Sequence, residues 1–384
     1  MVKLDIGPPR LGKARRGKRP APITGDYAEA LRTCFTRRTL TGLVAGIFDP
    51  LGLVTPITAG LKLDLHELCA LKLDWDDPVP DSYLSKWAAT MENIQELKHV
   101  TFRRAIIPPD AVNTNVHLLT FSDASQHLGV VAIFGRVLRK CGKFSCQLLM
   151  GRSKLLTGLT IPKAELKAAV AGAVSTSVVK RNLGEKFAGQ IFAIDSTVAL
   201  YWISQESKPL QVGVRNAVAE VRRFSTIQEW RHVSTSCNVA DIGTRPAAVA
   251  EVMPGCAWQE GYDWMTLPVE DMPLQTAEQI TLSAEERRLA AAEVRGGDIR
   301  GHAINTVIAD VADRYAYSKY LVDPCRLGWS KSLRVLALVR RFINRCKEGG
   351  RRRGAAEANP AAAAVFSQDE LRQAADYFFR HGTR

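Results

Sequence analysis

The sequence predicts an α/β domain over residues 113–250, a mixed sheet flanked by helices with mostly helical segments on either side. Three observations carry this expectation. Short runs of β-branched and aromatic residues with turn signals between them read as strands, and longer stretches of apolar residues at helical spacing separate them. Their order is three strands, a helix, a strand, two helices, a strand and a helix, which gives a meander extended by parallel strands. Four acidic residues, Asp123, Glu165, Asp195 and Asp241, stand at the end of short blocks in four different elements.

The elements follow in order. Val116–Ser122 reads as a strand ending at Asp123. Gly129–Leu138 and Phe144–Arg152 complete the meander. Pro162 then opens a helix to about Arg181, at the first-turn position proline favours. Gln190–Ile194 is a strand, Ser196–Ser204 and Gly213–Phe224 are helices, Glu229–Val233 is the last strand, and Ala240–Val249 is a short helix.

Flanking segments divide by composition. Residues 1–25 carry seven Lys and Arg among Gly and Pro with little apolar content, so a disordered basic arm is expected. Residues 26–112 form a helical segment, with a turn at Asp49-Pro50-Leu51-Gly52 and helices over Leu61–Leu73 and Asp81–Leu97. Asp76-Asp77 precedes Pro78 at a helix boundary, not between two apolar strands, and is read as a turn. Residues 251–310 are expected to be an irregular linker, 311–348 a basic helical segment, and 349–384 a linker with a terminal helix.

Composition limits the function classes. The formal net charge of +13 over 384 residues favours a polyanionic partner, because Lys and Arg gain affinity by releasing counterions from phosphate backbones. No apolar run of about 18 residues exists, so no membrane span is expected. The basic N-terminus lacks the apolar core of a secretory signal. The eight cysteines are scattered without paired zinc spacing, which fits a reducing intracellular compartment, cytoplasmic or nuclear.

Chemistry is concentrated in four blocks: Phe121-Ser122-Asp123-Ala124-Ser125, Ile161-Pro162-Lys163-Ala164-Glu165-Leu166, Ile194-Asp195-Ser196-Thr197 and Asn238-Val239-Ala240-Asp241. Neighbouring strand ends lie about 5 Å apart, so Asp123 and Asp195 are expected to share one pocket. Glu165, in the first turn of the long helix, would reach over the same edge, and Asp241 would join from the last helix. Such an oxygen-rich set suits two Mg²⁺ or Mn²⁺ ions, which in-line phosphodiester cleavage employs about 3.5–4 Å apart. Each acid has a plain alternative as a turn, cap or first-turn residue. Ser125, Ser196 and Thr197 stand beside the acids as candidate substrate contacts, and Arg215, Arg222 and Arg223 as candidate grips on a DNA strand. His232, on the last strand, is read as structural, and with Asn238 forms the auxiliary set.

These blocks resemble the ribonuclease H domain of BEL/Pao-class long-terminal-repeat retrotransposon polyproteins. The upstream run from Leu40 to Gly52 and Leu71-Lys72-Leu73-Asp74-Trp75-Asp76-Asp77-Pro78 resemble that class's segment between polymerase and ribonuclease H. Tyr201-Trp202-Ile203 and Trp230-Arg231-His232-Val233 fit the same class. The resemblance implies a ribonuclease H-like fold, the four acids as metal ligands, and hydrolysis of the RNA strand of RNA–DNA hybrids. It also implies reverse transcriptase and integrase portions of one polyprotein as partners. The chain lacks polymerase palm motifs and an integrase core, so a polyprotein fragment is expected, with a catalytically idle nucleic-acid-binding remnant as the alternative.

Overall fold

The structure is a computed structural model that describes residues 5–6 and 27–294, apart from 34, 104, 206–208 and 246. The arm expected over 1–25 (except Asp5–Ile6), the end of the segment expected over 251–310, and the segments expected over 311–348 and 349–384 lie outside the described residues.

In chain order the main elements begin with β1 (Asp5–Ile6), α1 (Tyr27–Thr33), α2 (Arg37–Ala45), β2 (Ile47–Phe48), α3 (Thr55–Ala70) and α4 (Leu84–Glu96). Then come β3 (Val116–Ala124), β4 (Leu128–Leu138), β5 (Phe144–Leu155), α5 (Ile161–Leu183), β6 (Phe187–Ile194), α6 (Thr197–Ser204) and α7 (Val212–Arg222). The described chain closes with β7 (Trp230–His232), α8 (Asp241–Thr244), α9 (Ala257–Glu260) and α10 (Ala284–Ala292). β1 and β2 form a two-residue antiparallel pair.

The main sheet has the order β5-β4-β3-β6-β7. β3, β4 and β5 are antiparallel, while β6 runs parallel to β3 and β7 parallel to β6. This is the mixed, helix-flanked arrangement that the element order predicts. α5 is the crossover from the meander to β6. Its Gly172 lies close against the sheet, where a Cβ would stand 3.4 Å from Thr120. The hydroxyls of Thr120 and Thr176 meet at 2.6 Å across that interface.

Side chains alternate between two buried faces. Leu118, Val131, Ile133 and Val137 pack beneath α5 with Val179, and Phe192 and Ile194 pack with α6 and α7. Leu119, Phe121, Val130, Ala132 and Phe134 point the other way. They join one core with α1–α4 and with Val252, Trp258, Met265 and Met272. Burial of both faces explains the unbroken apolar run of β4, since a strand sandwiched between layers has no solvent side.

That second face corrects the expectation of a linker beginning at 251. Trp258 is fully buried and donates its indole N–H to the Leu53 carbonyl at 2.9 Å. Buried Arg136 of β4 donates to the carbonyls of Met265 and Leu267. The last helix is also shorter than the expected Ala240–Val249, ending at Thr244. Near residue 52 two backbones meet: a Cβ on Gly151 would stand 2.3 Å from the Gly52 carbonyl oxygen, and Gly52 itself has φ +71°.

If residues 252–274 are part of the fold, Trp258→Ala should destabilise the protein by about 3–5 kcal/mol in urea unfolding, as expected for a fully buried aromatic. A change within about 0.5 kcal/mol, the usual range for a surface position, would contradict this packing.

Candidate active site

Backbone pairing sets the site. Ser122 of β3 is in register with Ile194 of the parallel strand β6, so the next residues, Asp123 and Asp195, lie side by side at this end of the sheet. Asp123 is still within the ladder, opposite Val130 of β4, and is buried, at 8% exposure. It is therefore not a turn residue. Asp195 is not a cap either, because Ser196 caps α6 by accepting the Ala199 N–H at 3.2 Å.

Glu165 is the fifth residue of α5, one residue further in than expected and just past its first turn. Asp241 opens α8 but makes no side-chain cap. α8 lies hard against β4: a Cβ on Gly243 would stand 2.8 Å from Val130. The close approach brings the Thr244 hydroxyl to donate to Asp123 Oδ2 at 2.7 Å. Asn238 ties the preceding loop to β3 by donating to the Ser122 carbonyl at 3.2 Å, and its Oδ1 accepts the Ala240 N–H.

The carboxylates act on one another. Asp123 is pushed up to about 6, mainly by burial and then by the charge of Asp195, with Asp241 adding to it. Glu165 is pushed up to about 7 by burial and by Asp195 and Asp123. Asp195 is raised by burial. Hydroxyl and amide groups oppose these shifts: Thr244 on Asp123, Ser196 on Glu165, and Thr235 and Asn238 on Asp195. Asp241 is more exposed and faces Arg245 at 3.6 Å.

All four predicted acids thus gather at one sheet edge and share one electrostatic field. Among the described residues, however, no three His, Cys, Asp or Glu side chains come together closely enough to hold a metal ion as they stand. The donor chemistry is nonetheless that of a hard-cation site: carboxylates, Asp123 buried and Glu165 and Asp195 half-buried, whose mutual repulsion a divalent ion would relieve.

Other predicted residues have partners within the fold. Thr197 donates to Glu286 at 2.6 Å, and Ser125 makes only a long contact to the Leu128 carbonyl at 3.5 Å. Arg222 is a correction: its guanidinium donates to the carbonyls of Ile203 and Gln205 at the end of α6, a structural role. Arg223 pairs with Glu220 at 3.1 Å and lies over the Phe224 ring. Arg215 is half-buried, with its Nε bonded to no protein group. His232 Nε2 lies 3.2 Å from the Asp195 backbone oxygen, and its own backbone bridges Gln275, so its placement is structural. Thr235 and Thr244 were not legible as site residues. The only signal was that Thr244 falls one helical turn after Asp241, which points nowhere in particular until α8 is known to lie beside β3.

Residues 36–196 match the family described as the Pao retrotransposon-like RNaseH-like domain. Over this span the chain is similar to that family. The Pao-type match takes in Asp123, Glu165 and Asp195 and stops short of Asp241, which the fold alone adds to the cluster. Solved structures similar to parts of the chain include the N-terminal RNase H domain of rv2228c from Mycobacterium tuberculosis, fused to maltose-binding protein. It is 14% identical, covering 34% of this chain and 94% of that one, with a TM-score of 0.25. RNase H1 from the halophilic archaeon Halobacterium salinarum NRC-1 is 15% identical, covering 33% and 90%, with a TM-score of 0.22. LC11-RNase H1, in complex with an RNA/DNA hybrid, is 14% identical, covering 36% and 99%, with a TM-score of 0.26. No curated protein matches the chain.

The raised acids make metal-free stability depend on pH with a defined sign. Between about pH 4 and 7 the folded protein holds protons on Asp123 and Glu165 that the unfolded chain has released. Stability from these groups therefore falls as pH rises through that window. In EDTA, Asp123→Asn should be more stable than wild type at pH 7.5 by roughly 2–3 kcal/mol, and should lose that advantage by pH 4. An equal difference at both pH values would show that Asp123 is not under this strain.

Proposed function

We propose that the Pao-type domain is a divalent-cation-dependent ribonuclease that hydrolyses the RNA strand of RNA–DNA hybrids endonucleolytically, leaving 5′-phosphate and 3′-hydroxyl ends. One observation carries this reading: Asp123, Glu165 and Asp195 are drawn together out of bulk water at one sheet edge, where burial raises all three and the charge of Asp195 further raises Asp123 and Glu165. A fold has little reason to bury like charges side by side unless something positive is to join them.

Asp123, Glu165, Asp195 and Asp241 would hold two Mg²⁺ or Mn²⁺ ions. When bound, such ions supply an activated water and a stabilised leaving oxygen. The chain's own groups prepare the site. Thr244 engages one oxygen of Asp123 and leaves the other for a ligand. Ser196 and Thr235 orient Glu165 and Asp195 in the same way, and Asn238 anchors the loop that leads to Asp241. Recognition of a hybrid by groove shape, phosphates and 2′-hydroxyls would fall to groups around this edge. Reverse transcriptase and integrase portions of one polyprotein would be its partners, with residues 26–112 as its connection to the polymerase.

A second reading has its own support. The hydroxyl and amide groups on Asp123, Glu165 and Asp195 engage them without any cation, and no ion-ready triad is preformed among the described residues. A nucleic-acid-binding remnant with idle chemistry would keep this arrangement.

Purified protein, labelled hybrid and Mg²⁺ separate the two. The nuclease reading expects Mg²⁺-dependent cleavage that falls by a factor on the order of 10³ in Asp123→Asn and in Asp195→Asn, since the lost charge stabilisation is several kcal/mol. It also expects Mg²⁺ to raise the melting temperature of wild type at pH 8 but not of Asp123→Asn. Hybrid binding without turnover, and with no effect of Mg²⁺ on melting, would establish the idle remnant instead.

A further inference from the structure

Beyond the sheet, α10 lies beside the acid cluster and is itself acidic at its start, with Glu285 and Glu286 in its first turn. Ser283 caps it by accepting the Glu286 N–H, while Glu286 Oε2 accepts the Ser283 N–H at 2.7 Å. The other oxygen of Glu286 accepts the hydroxyl proton of Thr197 at 2.6 Å. Thr197 is the first residue of α6, two positions after Asp195. A carboxylate is therefore seated on the rim of the site, on a hydroxyl that the sequence marks as a substrate contact.

Two turns later the same segment makes a second contact of this kind. Glu293 forms an ion pair with Lys163 at 2.7 Å, and its backbone oxygen accepts the Gln211 N–H at 2.7 Å. Val294 bridges Leu210. Lys163 stands two residues before Glu165 on α5. Glu293 thereby enters a groove between the starts of α5 and α7, lined by Lys163, Lys167, Gln211 and Gly213. Lys163 and Lys167 give this otherwise largely apolar groove its positive charge.

What holds α10 is mostly polar. Ala290 is its only buried residue, and its main anchor to the sheet domain is the Trp202 indole donating to the Ala290 carbonyl at 3.2 Å. Helices held by few apolar contacts open at low cost. We propose that α10 is an internal, displaceable stand-in for a nucleic-acid backbone: Glu286 and Glu293 occupy positions on the rim that phosphates of a bound duplex would take, so substrate entry requires α10 to lift away. This rests on the nucleic-acid partner proposed above.

The test uses the full chain with a fluorescent RNA–DNA hybrid in EDTA, where no cleavage intervenes. The double variant Glu286→Gln, Glu293→Gln keeps the size and capping geometry of both side chains. It should bind the hybrid with a Kd roughly tenfold lower than wild type at equal salt, because the competing charges are gone. A Kd that is unchanged or higher, or no binding by either protein, overturns the proposal. Hydrogen exchange on the unaltered protein gives a check free of mutation. Amides of residues 284–294 should lose protection when hybrid is added, and protection that is kept or increased overturns the proposal. The nuclease reading fails separately: cleavage with α10 still protected sinks only the α10 proposal, and release of α10 without Mg²⁺-dependent cleavage sinks only the nuclease.

Discussion

The parallel pairing of β3 with β6 is the constraint on which the site depends. Because Ser122 and Ile194 are in register, the chain must place Asp123 and Asp195 next to one another where the strands end. Burial then makes the arrangement costly, since two carboxylates near one another in a low-dielectric setting each disfavour the other's ionisation. α5 adds Glu165 to the same edge, and the loop held by Asn238 adds Asp241. The rest of the structure accommodates that cost through hydroxyl and amide donors placed on each buried acid.

The scaffold has to be rigid to keep like charges in place, and here both faces of the sheet are covered. α5, α6 and α7 cover one face. The other is covered by α3, α8, α9 and the segment through Met272, which form one core with the helices that precede the sheet. Gly243 against Val130 and Gly151 against Gly52 show how closely these layers approach. A larger residue at Gly243 would move α8, and with it both Thr244 and Asp241, which couples packing on one face directly to the chemistry at the edge.

Much of the sheet was legible from local pattern. The strand and helix alternation from Val116 to His232 is carried by β-branched runs and by Pro162 at the start of α5, and Asp195 sits where β6 gives way to α6. What was not legible depends on long-range packing. Trp258 and Met265 lie in stretches of mixed polarity that resemble a linker, and only the close approach to Leu53 and Arg136 makes them core. Arg222 read as a basic surface grip because sequence cannot show that the carbonyls of Ile203 and Gln205 end a helix within its reach. The role of Thr244 was hidden for the same reason. Its hydroxyl acquires meaning only from a strand 121 residues away.

The central claim is that the buried acids form one cation pocket, and diffraction from crystals soaked in Mn²⁺ tests it most directly. The account predicts two anomalous peaks about 4 Å apart or closer, held among Asp123, Glu165, Asp195 and Asp241. Absence of any peak at this edge at saturating Mn²⁺, with Thr244, Ser196 and Thr235 still holding the acids, would contradict it.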